Sequence, residues 1–277
     1  MIFEQDPESE IIAQTPTESQ PTFEANPRPP REPWRLRDLL IFILFIPVAL
    51  VISNIAVAVG YAVLAPIVGW TTPLLKLQTN AIFLLTLQFV FYILLFAYIY
   101  FLVAIFYGKP FWAGLKWQML SGHNTLRFLL GGILLSLVIM FIPPFLPEAK
   151  GFPLEKLFNS PASAYAVAAF AVLIAPFMEE LLFRGLLFAF FEKHGGLTFA
   201  VVSTALLFAG LHIPEYWGAW DHVVMILIVG IVFSLVRGAT RSVTPSYILH
   251  LAYNGTLMLL LYLQTQHFHK FPGVPHF

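Results

Sequence analysis

The chain has 277 residues, 58% of them apolar and only 11% charged, with a mean hydropathy of +0.79. Fifteen basic residues balance fifteen acidic ones, and there is no cysteine. This composition excludes an ordinary soluble domain and a disordered chain. It gives no reason to expect a nucleic-acid partner, and it rules out disulfides, thiolate metal sites and a cysteine nucleophile.

The chain begins polar. Residues 1–33 carry seven acidic residues and frequent prolines without an apolar period, so 1–37 is expected to be a disordered polar tail rather than a cleavable signal peptide. Arg28, Arg31, Arg35 and Arg37 stand directly before the first apolar run. Crossing a hydrocarbon core takes about 20 helical residues. Seven runs meet or approach that length: 38–66, 80–106, 127–147, 163–191, 197–213, 222–236 and 245–264. The expected fold class is therefore all-α, a polytopic transmembrane helical bundle of about seven to eight spans. The first and fourth runs are long enough to tilt, kink or split, and 265–277 is expected to be a short C-terminal tail.

Lys and Arg set the orientation. With the N-terminus in the cytoplasm, ten of the fifteen basic residues fall inside: the four arginines above, Lys109, Lys116, Arg127, Lys193, Arg237 and Arg241. Lys76, Lys150, Lys156 and Lys270 fall outside, and Arg184 lies within a span. The expectation is an integral membrane protein with a cytoplasmic N-terminus, its composition suited to a prokaryotic plasma membrane. No internal repeat is visible, whereas a carrier built from inverted halves would often show one.

Charges at membrane depth are costly and usually face a protein interior or a water-filled cavity. The segment Pro176-Phe-Met-Glu179-Glu180-Leu-Leu-Phe-Arg184-Gly185 holds three of them. Glu180 and Arg184, four residues apart, can pair on one helix face. Glu179 points about 100° away from Glu180, which leaves it free for chemistry. The later spans add His212, His250 and Asn254, the last two again four residues apart on one face. Each of these alone has a structural reading, as an interhelical hydrogen-bond partner, and the Glu180–Arg184 pair has one too.

Other routes to hydrolysis inside a membrane are absent from the sequence. There is no His-Glu-x-x-His, no Gly-x-Ser, and no aspartate beyond residue 37 except Asp38 and Asp221 at span edges. What remains is carboxylate with histidine. A glutamate held by a histidine can take a proton from water, and a second histidine with an amide can stabilise an oxyanion.

At these residues the chain resembles the CAAX protease and bacteriocin-processing (CPBP) family, the membrane proteases that include the type II CAAX prenyl endopeptidase. The motifs Glu179-Glu180-Leu-Leu-Phe-Arg184, Phe208-Ala-Gly-Leu-His212 and His250-Leu-Ala-Tyr-Asn254 stand in the family's order, and the likeness covers roughly 160–264. The resemblance implies a helical catalytic core over 148–264, behind the N-terminal helices of 38–147, with an active site buried in the membrane. It implies that Glu179 and His212 activate the attacking water and that His250 and Asn254 form the oxyanion site. Glu180 and Arg184 would be supporting residues. The family has been described both as glutamic and as metal-dependent. The glutamic reading, with no cofactor, is favoured here, while Glu179, His212 and His250 are the set that could hold zinc.

The expected function is an intramembrane endopeptidase, with membrane lipids and a membrane-associated substrate, prenylated or bacteriocin-like, as partners. The alternative is a non-catalytic scaffold or immunity protein using the same polar core, and a third reading is a proton-coupled carrier. Counted along upright helices, Glu179 and His212 lie more than 20 Å deep while His250 lies less than 10 Å deep, by about 1.5 Å per residue. A broken or strongly tilted helix within 163–192 is therefore expected.

Overall fold

Ser121 places the start of a helix five residues ahead of where apolar content alone puts it. Its side chain accepts from the backbone N–H of Asn124, so the third membrane helix begins at Gly122 rather than 127. Such caps satisfy N–H groups that a helix start leaves without partners. Asn80 does the same at Phe83, 3.0 Å away, and Ser160 at Ser163, with Pro161 in the first helical position. A computed structural model describes residues 33–142 and 160–270. The expectations for 1–32, 143–159 and 271–277, including most of the polar tail, the end of the 127–147 run and much of the C-terminal tail, lie outside the described residues.

The regular structure of the described residues is helical throughout. In chain order the elements are α1 (Leu36–Val68), α2 (Ala81–Tyr100) running on into a wide π turn over Phe101–Phe106, short α3 (Phe111–Gly114) and α4 (Gly122–Ile139). Then come α5 (Pro161–Ala169), α6 (Ala175–Glu179), α7 (Phe188–His212), α8 (Trp220–Thr240) and α9 (Val243–Gln264). The first run does not split: α1 is a continuous 33-residue helix despite Pro47 and Pro66, ended by Gly69 in the left-handed region. Six helices among the described residues are long and apolar enough to cross a membrane. Their outward faces are apolar, with Leu44, Ile67 and Leu134 among many exposed large side chains, as a lipid environment allows. The molecule is a polytopic transmembrane helical bundle.

One of the six helices is 52 residues long, Pro161–His212. Gly196 breaks it, with φ 77° and ψ −175°, a conformation open to glycine and costly for other residues. Beyond it the chain folds back: Phe199 packs on Phe191, and Phe208 on Phe183 at 5.1 Å between ring centroids. This element therefore consists of two arms on either side of Gly196, which correspond to the fourth and fifth runs read from the sequence.

Of the two expectations for 163–192, a broken or a strongly tilted helix, the break is not found: the first arm is continuous and widened at two places. Residues Phe170–Ile174 and Glu180–Leu187 form π turns between α5 and α6 and between α6 and α7. Pro176 accounts for the first. A helical proline lacks an N–H and its ring crowds the carbonyl four residues back, here that of Val172 within the π turn. In a π turn N–H groups reach back five residues: Ala175 N–H bonds Phe170 O, and Phe188 N–H bonds Phe183 O. The carbonyls of Ala171 and Arg184 are thereby released from those donors. Neighbouring helices fill both places. Asn254 Nδ2 donates to Ala171 O at 2.8 Å, and Arg237 Nε donates to Arg184 O at 3.0 Å.

The start of α9 is covered by protein. Ser242, Val243 and Ser246 are buried. Val243 N–H donates to Lys116 O at 2.9 Å, and Gln118 N–H to Thr244 Oγ1 at 3.1 Å, so the segment after α3 covers the start of α9. α4 packs closely along α9 because Gly132 has no side chain: a Cβ there would stand 2.3 Å from the Leu249 carbonyl oxygen. The largest apolar cluster joins α1 and α2 to the two π turns, through Phe42, Tyr92, Leu95, Ile99, Leu181 and Phe208 among others.

Candidate active site

The widened arm determines which charges are enclosed. Glu180 and Arg184 are fully buried and paired, Nη1 to Oε1 at 2.9 Å, as their four-residue spacing suggests. Two buried charges need further hydrogen bonds to offset desolvation. Arg184 Nη2 donates to Gly230 O at 3.0 Å, and the guanidinium lies against the rings of Phe208 and Phe233, 4.7 and 5.2 Å from their centroids. Such faces attract a cation. Glu180 Oε1 also meets His250 Nδ1 at 3.1 Å, so one carboxylate oxygen gathers a guanidinium and an imidazole.

Glu179 is placed otherwise. Its side chain keeps 17% of its surface accessible, against none for Glu180. The second ring nitrogen of His250, Nε2, stands 3.7 Å from Glu179 Oε2, beyond a hydrogen bond. His250 thus bridges the two glutamates, with Nδ1 turned to the buried one and Nε2 to the accessible one. Phe208 lies between the two histidine rings, 4.7 Å from His212 and 6.0 Å from His250 between centroids. His212 holds its own helix carbonyl, Phe208 O, through Nδ1 at 2.7 Å, which leaves Nε2 as the nitrogen available to a reactant.

The sequence-derived set is therefore brought together in part. Glu179, Glu180, Arg184 and His250 form one network, and His212 flanks it across Phe208. Asn254 stands one turn beyond His250 with one of its two N–H groups on Ala171 O. Among the described residues no group of three His, Asp or Glu side chains is placed to hold a metal ion.

Two residues absent from the sequence reading join the site. Tyr92 of α2 is 8% exposed; its hydroxyl accepts from Gln88 Nε2 at 3.1 Å, and the Glu179 carboxylate is one of the charges that act on it. Glu215, in the turn after α7, couples electrostatically to both His212 and Glu179. Gln88 was the available signal for the first, an amide inside an apolar run with a tyrosine four residues on. Glu215 follows His212 by three residues and carries no comparable mark.

A helical membrane protein with paired glutamates, two histidines and an amide converging inside its bundle is the class defined so far. Comparison with known proteins narrows it: residues 161–256 match the family model described as type II CAAX prenyl endopeptidase Rce1-like. UPF0177 protein YbdI of Lactococcus lactis subsp. lactis is 29% identical over 143 residues, covering 52% of this chain and 74% of that protein. No solved structure matches the chain. The family likeness read from the three motifs is thus shown over 161–256, a segment that holds both π turns next to α6 and all six motif residues.

Proposed function

We propose that the chain is an intramembrane endopeptidase that hydrolyses a peptide bond in a membrane-associated polypeptide, with Glu179 as the base for water. One observation supports this most directly. Of the two adjacent carboxylates, Glu180 is enclosed and paired, while Glu179 is accessible and lies 3.7 Å from His250 Nε2. That gap is too long for a direct bond and leaves both groups able to meet a water or a substrate oxygen.

In this reading Glu179, assisted by His212, takes a proton from water as it attacks the carbonyl carbon, and returns it to the leaving amine. Charge then develops on the carbonyl oxygen. His250 and the second N–H of Asn254 are the donors for it. Glu180 and Arg184 hold His250 in place. The matched family's name points to a prenylated carboxyl-terminal CAAX peptide as the substrate class, arriving from the bilayer. The N-terminus faces the cytoplasm.

The test uses the purified chain in detergent with three quenched fluorescent probes: a farnesylated CAAX peptide, its unprenylated counterpart and a transmembrane peptide. Wild type cleaves at least one, with the farnesylated probe expected first. Glu179→Gln and His212→Ala remain folded and lose turnover, because an amide accepts no proton from water. Cleavage by Glu179→Gln at near the wild-type rate removes Glu179 from the role.

A further inference from the structure

The backbone of α9 fixes where His250 stands, but not which way its ring faces. The last side-chain torsion of a histidine has a broad profile, so packing must decide it. The direction matters because the two ring nitrogens meet different groups. Nδ1 lies 3.1 Å from the buried Glu180, and Nε2 lies on the side of Glu179, 3.7 Å away. The bond to Glu180 anchors one corner of the ring. About that corner the ring can still swivel, and a swivel carries Nε2 away from any oxygen it is to meet.

The swivel is opposed from α8, a helix that carries none of the three motifs. Phe233 is fully buried there, and its ring lies 4.4 Å from the imidazole between centroids, at 34° between planes. Phe208 meets the same imidazole edge-on, at 6.0 Å and 81°. One aromatic face and one aromatic edge thus bound the ring of His250. Phe233 is itself held in place. The Arg184 guanidinium lies 5.2 Å from its centroid, with Tyr253 at 6.1 Å and Phe208 at 6.5 Å between centroids. The α8 backbone is pinned on either side of it: Gly230 O accepts from Arg184 Nη2 at 3.0 Å, and Ser234 Oγ meets Thr204 Oγ1 of α7 at 3.0 Å.

We propose that Phe233 is a positioning residue for His250: its ring holds the imidazole plane, so that with Nδ1 on Glu180 the Nε2 atom faces the space beside Glu179 where the substrate oxygen lies. A displacement of about 1 Å in such a group can cost about 100-fold in rate. This inference rests on the reading of His250 as an oxyanion donor, and its test separates the two.

Phe233→Leu removes the flat face and keeps an apolar side chain. Phe233→Met, unbranched and able to fill an irregular gap, is made beside it in case the leucine variant folds poorly. The first measurement needs no substrate. It is the mobility of the His250 ring, from NMR relaxation of histidine labelled with ¹³C at Cε1, the signal being the one missing in His250→Ala. The second is kcat and KM on whichever of the three probes wild type cleaves, for each single variant and for Phe233→Leu combined with His250→Ala. In wild type the ring is expected to be as rigid as the backbone, and a mobile ring there overturns the proposal before any variant is made. In both Phe233 variants the ring should loosen, with kcat lowered by between about 10- and 100-fold and KM unchanged. The double variant should be no slower than His250→Ala, since Phe233 acts through the imidazole, whereas a merely structural role would slow it further. A ring that stays rigid in the variants overturns the proposal, as does a loosened ring with unchanged kcat or a double variant slower than His250→Ala. Normal kcat in His250→Ala would instead sink the oxyanion-donor reading, and the positioning role with it.

Discussion

The side-chain amide of Asn254 donates to the carbonyl of Ala171 at 2.8 Å, the carbonyl that the first π turn releases from Ala175. One residue is thus tied to the backbone just ahead of Glu179, and its second N–H is the one proposed to meet a substrate oxyanion. The two roles differ in kinetics. Loss of an oxyanion donor should lower kcat by about 10²–10³-fold with KM little changed. Loss of the bond to Ala171 should lower stability by about 1–3 kcal/mol, the cost of an unsatisfied buried group. Asn254→Ala is expected to do both. Thermal unfolding with kcat and KM resolves the two parts, and a fall in stability with normal kcat in the folded fraction removes the oxyanion role. His250→Ala should resemble it in kcat and combine with it less than additively.

Glu180 and Arg184 should act mainly on stability. Both are fully buried, and removing one partner leaves the other charge uncompensated, at a cost of about 3–5 kcal/mol. Arg184→Ala is expected to lower the unfolding temperature and yield, with partial turnover in whatever folds. Glu180→Ala also frees His250 Nδ1, so its residual turnover should be the lower of the two. Full stability with no activity in both variants would place the pair in the chemistry instead.

The same residues show what could be read from the sequence. Four-residue spacing foretells the Glu180–Arg184 pair because it depends only on helical geometry, and apolar run lengths foretell a membrane-capable helical bundle, six such helices among the described residues, because lipid demands length. The depth of His250 was not legible. The conflict with Glu179 came from counting along upright helices, whereas the fold brings His250 Nδ1 to 3.1 Å from Glu180 and covers the start of α9 with the Lys116 and Gln118 backbone. Nor were the π turns legible, apart from Pro176, since their freed carbonyls are satisfied by side chains 83 and 53 residues away.

Arg237 offers a test of the second π turn. It is 3% exposed, gives Nε to Arg184 O at 3.0 Å and lies 4.9 Å from the ring centroid of Phe188. Arg237→Met keeps much of the apolar stem but leaves that carbonyl without its side-chain donor, and is expected to cost about 1–3 kcal/mol. Because the carbonyl belongs to Arg184 itself, the variant should also reduce turnover. Unfolding temperature and kcat together check this, and a variant equal to wild type in both would show that the turn holds without the cap.

The absence of cysteine makes the orientation directly testable, since any single introduced cysteine is the sole thiol. Thr71 follows α1 and Ser121 precedes α4, both exposed and outside the membrane helices. A cytoplasmic N-terminus, expected from the ten-to-four distribution of Lys and Arg, puts position 71 outside and position 121 inside. In intact cells a membrane-impermeant maleimide should label Thr71→Cys and spare Ser121→Cys until the membrane is opened. Neither residue touches the site, so both variants should keep wild-type turnover and report on the native fold. Labelling of Ser121→Cys alone would invert the assignment and place the start of α1 outside. Labelling of both before lysis would mean that α2 does not cross the membrane between them.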